Sequence, residues 1–285
     1  MNQLTYRLRG RLLPGILALA ALLISDQAVM AQPGARLGIS PDRYMVDFDA
    51  GGSTPQALMI KNLSDEPLTI KLSVSNWDLD ESNRVRLLPP REDSLDQWIV
   101  INPLRVVIPP DTPQTIRWAI LPRQKPGAGE HRAIIFIEEE TDRGPLQSKT
   151  AVNMAIRFGI PVYAQVGEAR EQVQVFGVGA DDDSQQLVLD AGNAGNQHVR
   201  LRGRIGIWPE DSFPGSEKAI AIMRDPEQSL RAGVDYRVDD IPETVLLPAT
   251  RRQIKLLPAA MAHSGQVVQL DASLGSTAVT DVIRP

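Results

Sequence analysis

From Val152 to Val162 every second residue is large and apolar. Val152, Met154, Ile156, Phe158, Ile160 and Val162 alternate with Asn153, Ala155, Arg157, Gly159 and Pro161. A period of two predicts a β-strand with one apolar face. At ~3.3 Å per residue the row would reach roughly 36 Å, about twice an ordinary strand. Pro161 near its end predicts an edge strand, because proline cannot donate to a ladder. A long apolar edge left bare invites association, so the pattern asks what its face is pressed against.

The same period recurs along the chain. "DRYMVDF", "QALMIKN", "LTIKLSVS", "QWIVI", "LRVVI", "QTIRWAIL" and "RAIIFIEEE" precede the row at 151–163. These seven or eight runs recur at intervals of roughly 10–15 residues, the spacing of an antiparallel β-sandwich. The 22 prolines punctuate them densely. The pattern breaks at "AQVGEA", which predicts a linker at about 164–168 between a first domain over 35–164 and a second over 168–285. The second set contains "EQVQVFGV", "QQLVLDAGN", "HVRLRGRIGIW", "KAIAIM", "RRQIKLL" and "GQVVQLDAS". The expected class is all-β, as two β-sandwiches with no amphipathic helix. No internal repeat is evident by eye.

The first residues follow another pattern. Arg7, Arg9 and Arg11 precede the apolar run "LLPGILALAALLI", and "AVMA" follows. A basic start, a short apolar core and small residues describe a secretory signal peptide over 1–31, cut after Ala31. A membrane anchor is the alternative, but the run is ~13 residues long where a spanning helix needs ~20. Export out of the cytoplasm is therefore expected. The segment carries three arginines and one aspartate, so the net charge of -5 becomes -7 without it. That gives no reason to expect nucleic acid. There is no cysteine, which excludes disulfides, thiol catalysis and thiolate metal sites.

Catalytic constellations are hard to find. His131, His198 and His263 lie in different segments without metal spacing. Asp181–Asp183 read as a hairpin turn, and Glu138–Glu140 as a solvated strand exit. "GNAGNQH" reads as turn chemistry. Nucleophile-elbow and phosphate-loop motifs are absent. No enzyme activity, cofactor or metal is expected. Arg200, Arg202 and Arg204 alternate with apolar residues and so share one strand face, either a solvated face or a basic wall for an acidic partner segment.

In this setting "ISPDRYMVDFDAGG", "INPLRVVIPPDTPQTIRW", "GEHRAIIFIEE", "AVNMAIRFGIPVYA" and "AGNAGNQHVRLRGRI" together resemble, in that order, the PapD-like periplasmic pilus chaperones. The resemblance covers roughly 36–208. It implies two immunoglobulin-like domains set as a boomerang. It implies partners as well: pilus or fimbrial subunits lacking a strand, and an outer-membrane usher. By β-augmentation, Val152, Met154, Ile156, Phe158 and Ile160 would complete the subunit, answering the question the row raises. The resemblance also places a subunit carboxylate anchor at Arg43. The family's second anchor, a lysine, would fall on Gly159; Arg157, two residues earlier on the same face, is the expected substitute. Residues 208–240 look like an elaboration of the second domain. The competing expectation is a structural or adhesive protein that self-associates through the same edge, which a self-dimer could also cap when no client is bound.

Overall fold

The computed structural model describes residues 36–80, 83–140, 157–180, 186–225, 236–257 and 264–284. The expected signal peptide, Val152, Met154, Ile156, Asp181–Asp183 and His263 lie outside the described residues.

Strands of residues 37–166 form two sheets. One has the order β1 (Leu37–Ser40), β3 (Gln56–Asn62), β8 (Pro113–Ile120), β6 (Ile99–Asn102). The other runs β2 (Tyr44–Asp47), β10 (Arg157–Val166), β9 (Gly129–Glu139), β4 (Leu68–Leu79), β5 (Val85–Leu88), and β7 (Arg105–Ile108) also pairs with β4. Alternate residues of both sheets meet in one core, with Leu58, Ile60, Ile116 and Trp118 from the first against Ile70, Ile135 and Ile137 from the second. The Tyr44 hydroxyl donates to the Ala57 carbonyl at 2.7 Å and stitches the two sheets together.

A second pair of sheets follows. β11 (Val173–Ala180), β12 (Leu187–Asn193) and β16 (Thr250–Leu257) make one. β14 (Arg237–Asp240), β13 (Val199–Pro209), β17 (Gln266–Leu274) and β18 (Thr277–Ile283) make the other, with β15 (Thr244–Leu246) also on β13. Their inner faces bury Leu189, Leu201, Ile205, Ile254 and Leu270 in a separate core. The all-β expectation of two immunoglobulin-like sandwiches holds.

Three local expectations need correction. β10 continues to Val166 with Ala164 fully buried, so 164–168 is not a linker from its start. The apolar face simply runs on through a small residue. "KAIAIM" is not a strand but part of a helix, α1 (Ser216–Arg224). Its short apolar run fits either period. Burial of Ala219 and Met223, four apart, shows the helical one, and both pack on Trp208 of β13. Glu138–Glu140 is not a solvated exit throughout: Glu139 is buried and paired with Arg36 at 2.8 Å.

The sandwiches also touch each other. Leu247 of the second packs among Trp77, Leu79, Ile134, Phe136 and Tyr163 of the first. Arg252 donates to the carbonyls of Leu79, at 2.7 Å, and Asp80.

Candidate functional site

The described end of the apolar row, from Arg157 on, belongs to β10. It pairs antiparallel with β9 from Arg157 to Val166 without a break in register. On its other side it pairs parallel with β2, but only from Val162 to Gln165. Along Arg157–Pro161 no described strand covers that second side. The Phe48 N–H donates to the Gln165 carbonyl at 3.0 Å, so in a regular strand the main-chain groups of Arg157, Gly159 and Pro161 turn to the open side too. Pro161, which has no N–H, therefore sits where its missing donor breaks no ladder bond.

The apolar face of β10 divides. Ile160 is 5% exposed and Val162 fully buried in the first core. Phe158 is half-buried and packs against that core. The expectation that Ile160 faces a partner is thus corrected. It completes this protein's own sandwich, because the strand is in register with β9 that far along. In the sequence the row continues upstream as Ile156, Met154 and Val152, which lie outside the described residues.

Arg43 immediately precedes β2, beside Pro161 in the extended register. Its Nη1 donates to Glu243 at 2.6 Å and its Nη2 to Asp42 at 3.0 Å. Glu243 comes from the turn ahead of β15 in the other sandwich, and it holds more than Arg43. Arg200 Nη1 reaches Oε1 at 2.7 Å, and Arg202 Nε reaches Oε2 at 2.9 Å. The carboxyl is held down at about 2, first by the Arg43 hydrogen bond and then, against desolvation, by Arg202 and Arg200. Asp42 is lowered as well, chiefly by its own bond to Arg43.

Arg157 does not join this cluster. It pairs with Glu138 at 2.6 Å and lies over the Phe136 ring, 3.5 Å from its centroid. Four strand residues, roughly 13 Å, separate it from the level of Arg43. Its guanidinium is thus held by Glu138 and Phe136 and not by the Arg43 cluster. A Cβ at Gly159, where the lysine would stand, would come within 2.6 Å of Ile134 Cδ1, the far end of a side chain that would have to shift. The basic row also resolves. Arg200 and Arg202 face the cleft, whereas Arg204 pairs with Asp240 at 2.9 Å and donates to the Met223 carbonyl at 2.7 Å.

Beside the arginines lies a cavity of about 400 Å³, with Trp77, Ile134, Gly159, Tyr163 and Val245 on its apolar side. It begins where the free edge of β10 meets β2. Sequence reasoning missed Glu243, because a single glutamate 41 residues beyond Arg202 carries no local signal. His198 is buried against Glu130, and His131 meets the Gly127 carbonyl at 2.9 Å, so both serve packing. Among the described residues no group of three His, Cys, Asp or Glu could hold a metal, and no helix is long and apolar enough to cross a membrane.

No family model and no curated protein matches the chain. Among solved structures it is similar to a CsuC–CsuE chaperone–tip adhesion subunit pre-assembly complex from archaic Csu pili of Acinetobacter baumannii. That match has 12% identity, covers 88% of this chain and 99% of that one, and has a TM-score of 0.48. The YadV chaperone matches at 13% identity over 88% and 100%, with a TM-score of 0.48. The Pseudomonas aeruginosa CupB2 chaperone matches at 12% over 86% and 97%, with a TM-score of 0.46. Each of these three solved structures contains a chaperone.

Proposed function

We propose that this protein is a periplasmic chaperone. It holds incomplete β-sandwich pilus or fimbrial subunits by lending them the strand that leads into β10, and passes them to an outer-membrane usher. One observation carries the reading. β10 is paired on both sides only from Val162 onward, and the edge of Arg157–Pro161 is open among the described residues. An open edge that runs straight into an alternating apolar row is what strand addition requires. Main-chain bonds along the edge supply affinity. Val152, Met154 and Ile156 fill the client's gap, each worth ~1.5–3 kcal/mol before the costs of association. No catalytic group is needed, because strand exchange at the usher releases the client.

The test is capture from the native periplasm with residues 32–285, beside a variant with Val152, Met154 and Ile156 changed to Ser. These three sit upstream of the core residues, so the variant keeps its fold. The expected result is one or a few small β-rich proteins on the wild type, absent from the variant, which aggregate when expressed alone. Identical partners on both proteins, or none on either, overturns the reading. Self-association of the wild type that the variant loses, with no client found, would instead establish the structural, self-associating protein that the same open edge allows.

A further inference from the structure

The cavity of about 400 Å³ takes its walls from both sandwiches. Trp77 of β4, Val85 of β5, Ile134 of β9 and Gly159 of β10 come from the first, and Val245 of β15 from the second. Val85 is 54% exposed, so one wall opens to solvent. Trp77 is only 4% exposed, yet its Nε1–H has no hydrogen-bond partner among the described residues. A buried donor without an acceptor is rare, and the face of an aromatic ring can accept such an N–H. The wall is itself aromatic, with Trp77 and Tyr163 meeting edge to face, centroids 5.8 Å apart. The Arg200 guanidinium lies 5.5 Å from the Tyr163 ring, and a cation at the mouth favours a further ring over an aliphatic chain.

Gly159 joins this cavity to the open edge of β10. Its side-chain position points to the cleft, where a Cβ would meet Ile134 and Phe136. A strand added along Arg157–Pro161 sets every second side chain on that same face, whichever way it runs. The side chain beside Gly159 finds no neighbour on β10 at that level, and the cavity lies next to it. Aromatic residues on a neighbouring strand cover glycines in this way. At about 400 Å³ the space stands at the small end of ligand cavities. It suits one side chain rather than a second segment of chain.

Resting on the strand-lending reading, we propose that this cavity is a selectivity pocket for one aromatic side chain of the client, carried on the cleft face of the added strand beside Gly159. Trp77, Val85, Ile134 and Val245 hold a ring and need no charge on it. A client with a ring at that register gains its burial. A client with a small residue there gains little, and one with a charge there loses solvation without a partner. The pocket therefore discriminates among strands that satisfy the main chain of β10 equally well.

The experiment uses synthetic peptides of alternating apolar and polar residues, all with the same chain end so that its contribution cancels between them. One polar residue at a time is replaced by Phe, by cyclohexylalanine or by Ala. Burying one ring should tighten binding roughly tenfold over Ala, at one position only. Val85→Trp, at an exposed site, sets a ring of the protein's own in the cavity, and thermal melting confirms its fold. On that variant the Phe and Ala peptides should bind alike. A gain at every position, a gain that Val85→Trp keeps, or equal binding of Phe and Ala peptides to wild type overturns the pocket while leaving strand lending intact. Cyclohexylalanine as effective as Phe overturns the preference for a ring. Peptides that do not bind wild type at all count against strand lending itself. N-acetylphenylalaninamide, which has neither a strand nor a carboxylate, then decides the pocket alone. A saturable shift of the Trp77 Nε1–H signal in wild type but not in Val85→Trp supports it. No saturation, or an equal response in both proteins, overturns it.

Discussion

One oxygen of Glu130, Oε2, takes the backbone N–H of His198 at 2.9 Å and meets its Nδ1 at 2.5 Å, which ties β9 of the first sandwich to the start of β13 in the second. Both side chains are almost wholly buried, at 3% and 2% exposure. The Tyr163 ring lies against the imidazole, centroids 3.9 Å apart, and the Glu130 N–H reaches the Asn196 carbonyl at 2.9 Å. Glu130→Ala strands a buried N–H and should cost ~1–3 kcal/mol. Urea unfolding would show it as a lower midpoint, and X-ray scattering as a broader distribution of shapes. Glu130→Gln, which keeps an acceptor, should lose less.

Ile160 and Ile156 separate stability from binding. Ile160→Ala removes a core side chain and should cost ~2–5 kcal/mol in urea unfolding of the free protein. Ile156→Ala, on the stretch we propose is lent, should stay within ~0.5 kcal/mol of wild type and weaken client capture instead. A stability loss at Ile156 as large as at Ile160 would place the row inside the protein's own core.

Gly159 offers a test of the anchor. Ile134 Cδ1 stands 2.6 Å from where the Gly159 Cβ would go and is the movable end of its side chain, so Gly159→Lys should be accommodated by a shift of Ile134. Moving Ile134 off its rotamer should cost ~0.5–1.5 kcal/mol, which calorimetry should show as a small drop in melting temperature, and client binding should strengthen if the lysine completes the anchor.

Glu243 sets a pH dependence. Its carboxyl titrates near 2 in the folded protein against an ordinary 4.5. A carboxylate lowered on folding contributes stability that is complete above the unfolded value and lost as pH falls through the folded one. The stability difference between wild type and Glu243→Gln should therefore hold at pH 5 and above, roughly, and shrink toward about pH 2. Paired urea titrations at each pH measure it, and the subtraction removes the other carboxylates. Asp42, lowered by the same Arg43, belongs to this acid loss.

Asn62 and Asn193 perform the same task in the two sandwiches. Each donates to the carbonyl four residues on, Glu66 at 2.7 Å and Gln197 at 2.8 Å. Each also donates to a distant carbonyl, Ile108 at 2.9 Å and Leu246 at 3.2 Å, and accepts the N–H two residues on at 2.9 Å. Changing either to Ala should cost ~1–3 kcal/mol. With no shared partners the two losses should add within ~0.5 kcal/mol, which a double mutant would check.

That shared asparagine turn is the trace of a repeat that reading by eye does not find. "NLSDE" and "NAGNQ" have only their first residue in common, and what repeats is a set of main-chain bonds. Other features were open to sequence reasoning. Period two over 68–75 and 157–162 foretold strands, because alternation is a property of the strand itself. Period alone could not show how Phe158 and Ile160 differ, since both share one face and only the packing leaves Phe158 half-buried and Ile160 buried in the core. Nor could it show α1, where five apolar residues in a row suit a strand and a helix equally.

The sequence by itself determined the class of the molecule. Local alternation, turn residues and the lack of cysteine lead to two cores held by burial alone, and to a long apolar row at the end of the first. It also put Arg200 and Arg202 on one face, since strand geometry needs no partner to do so. Only the tertiary structure decided what those arginines hold. Glu243 reaches Arg43 across 200 residues of chain, and Arg157 goes to Glu138 instead. Such pairings depend on how two sandwiches and their turns pack in space, and a one-dimensional pattern does not encode distances between segments that meet only after folding.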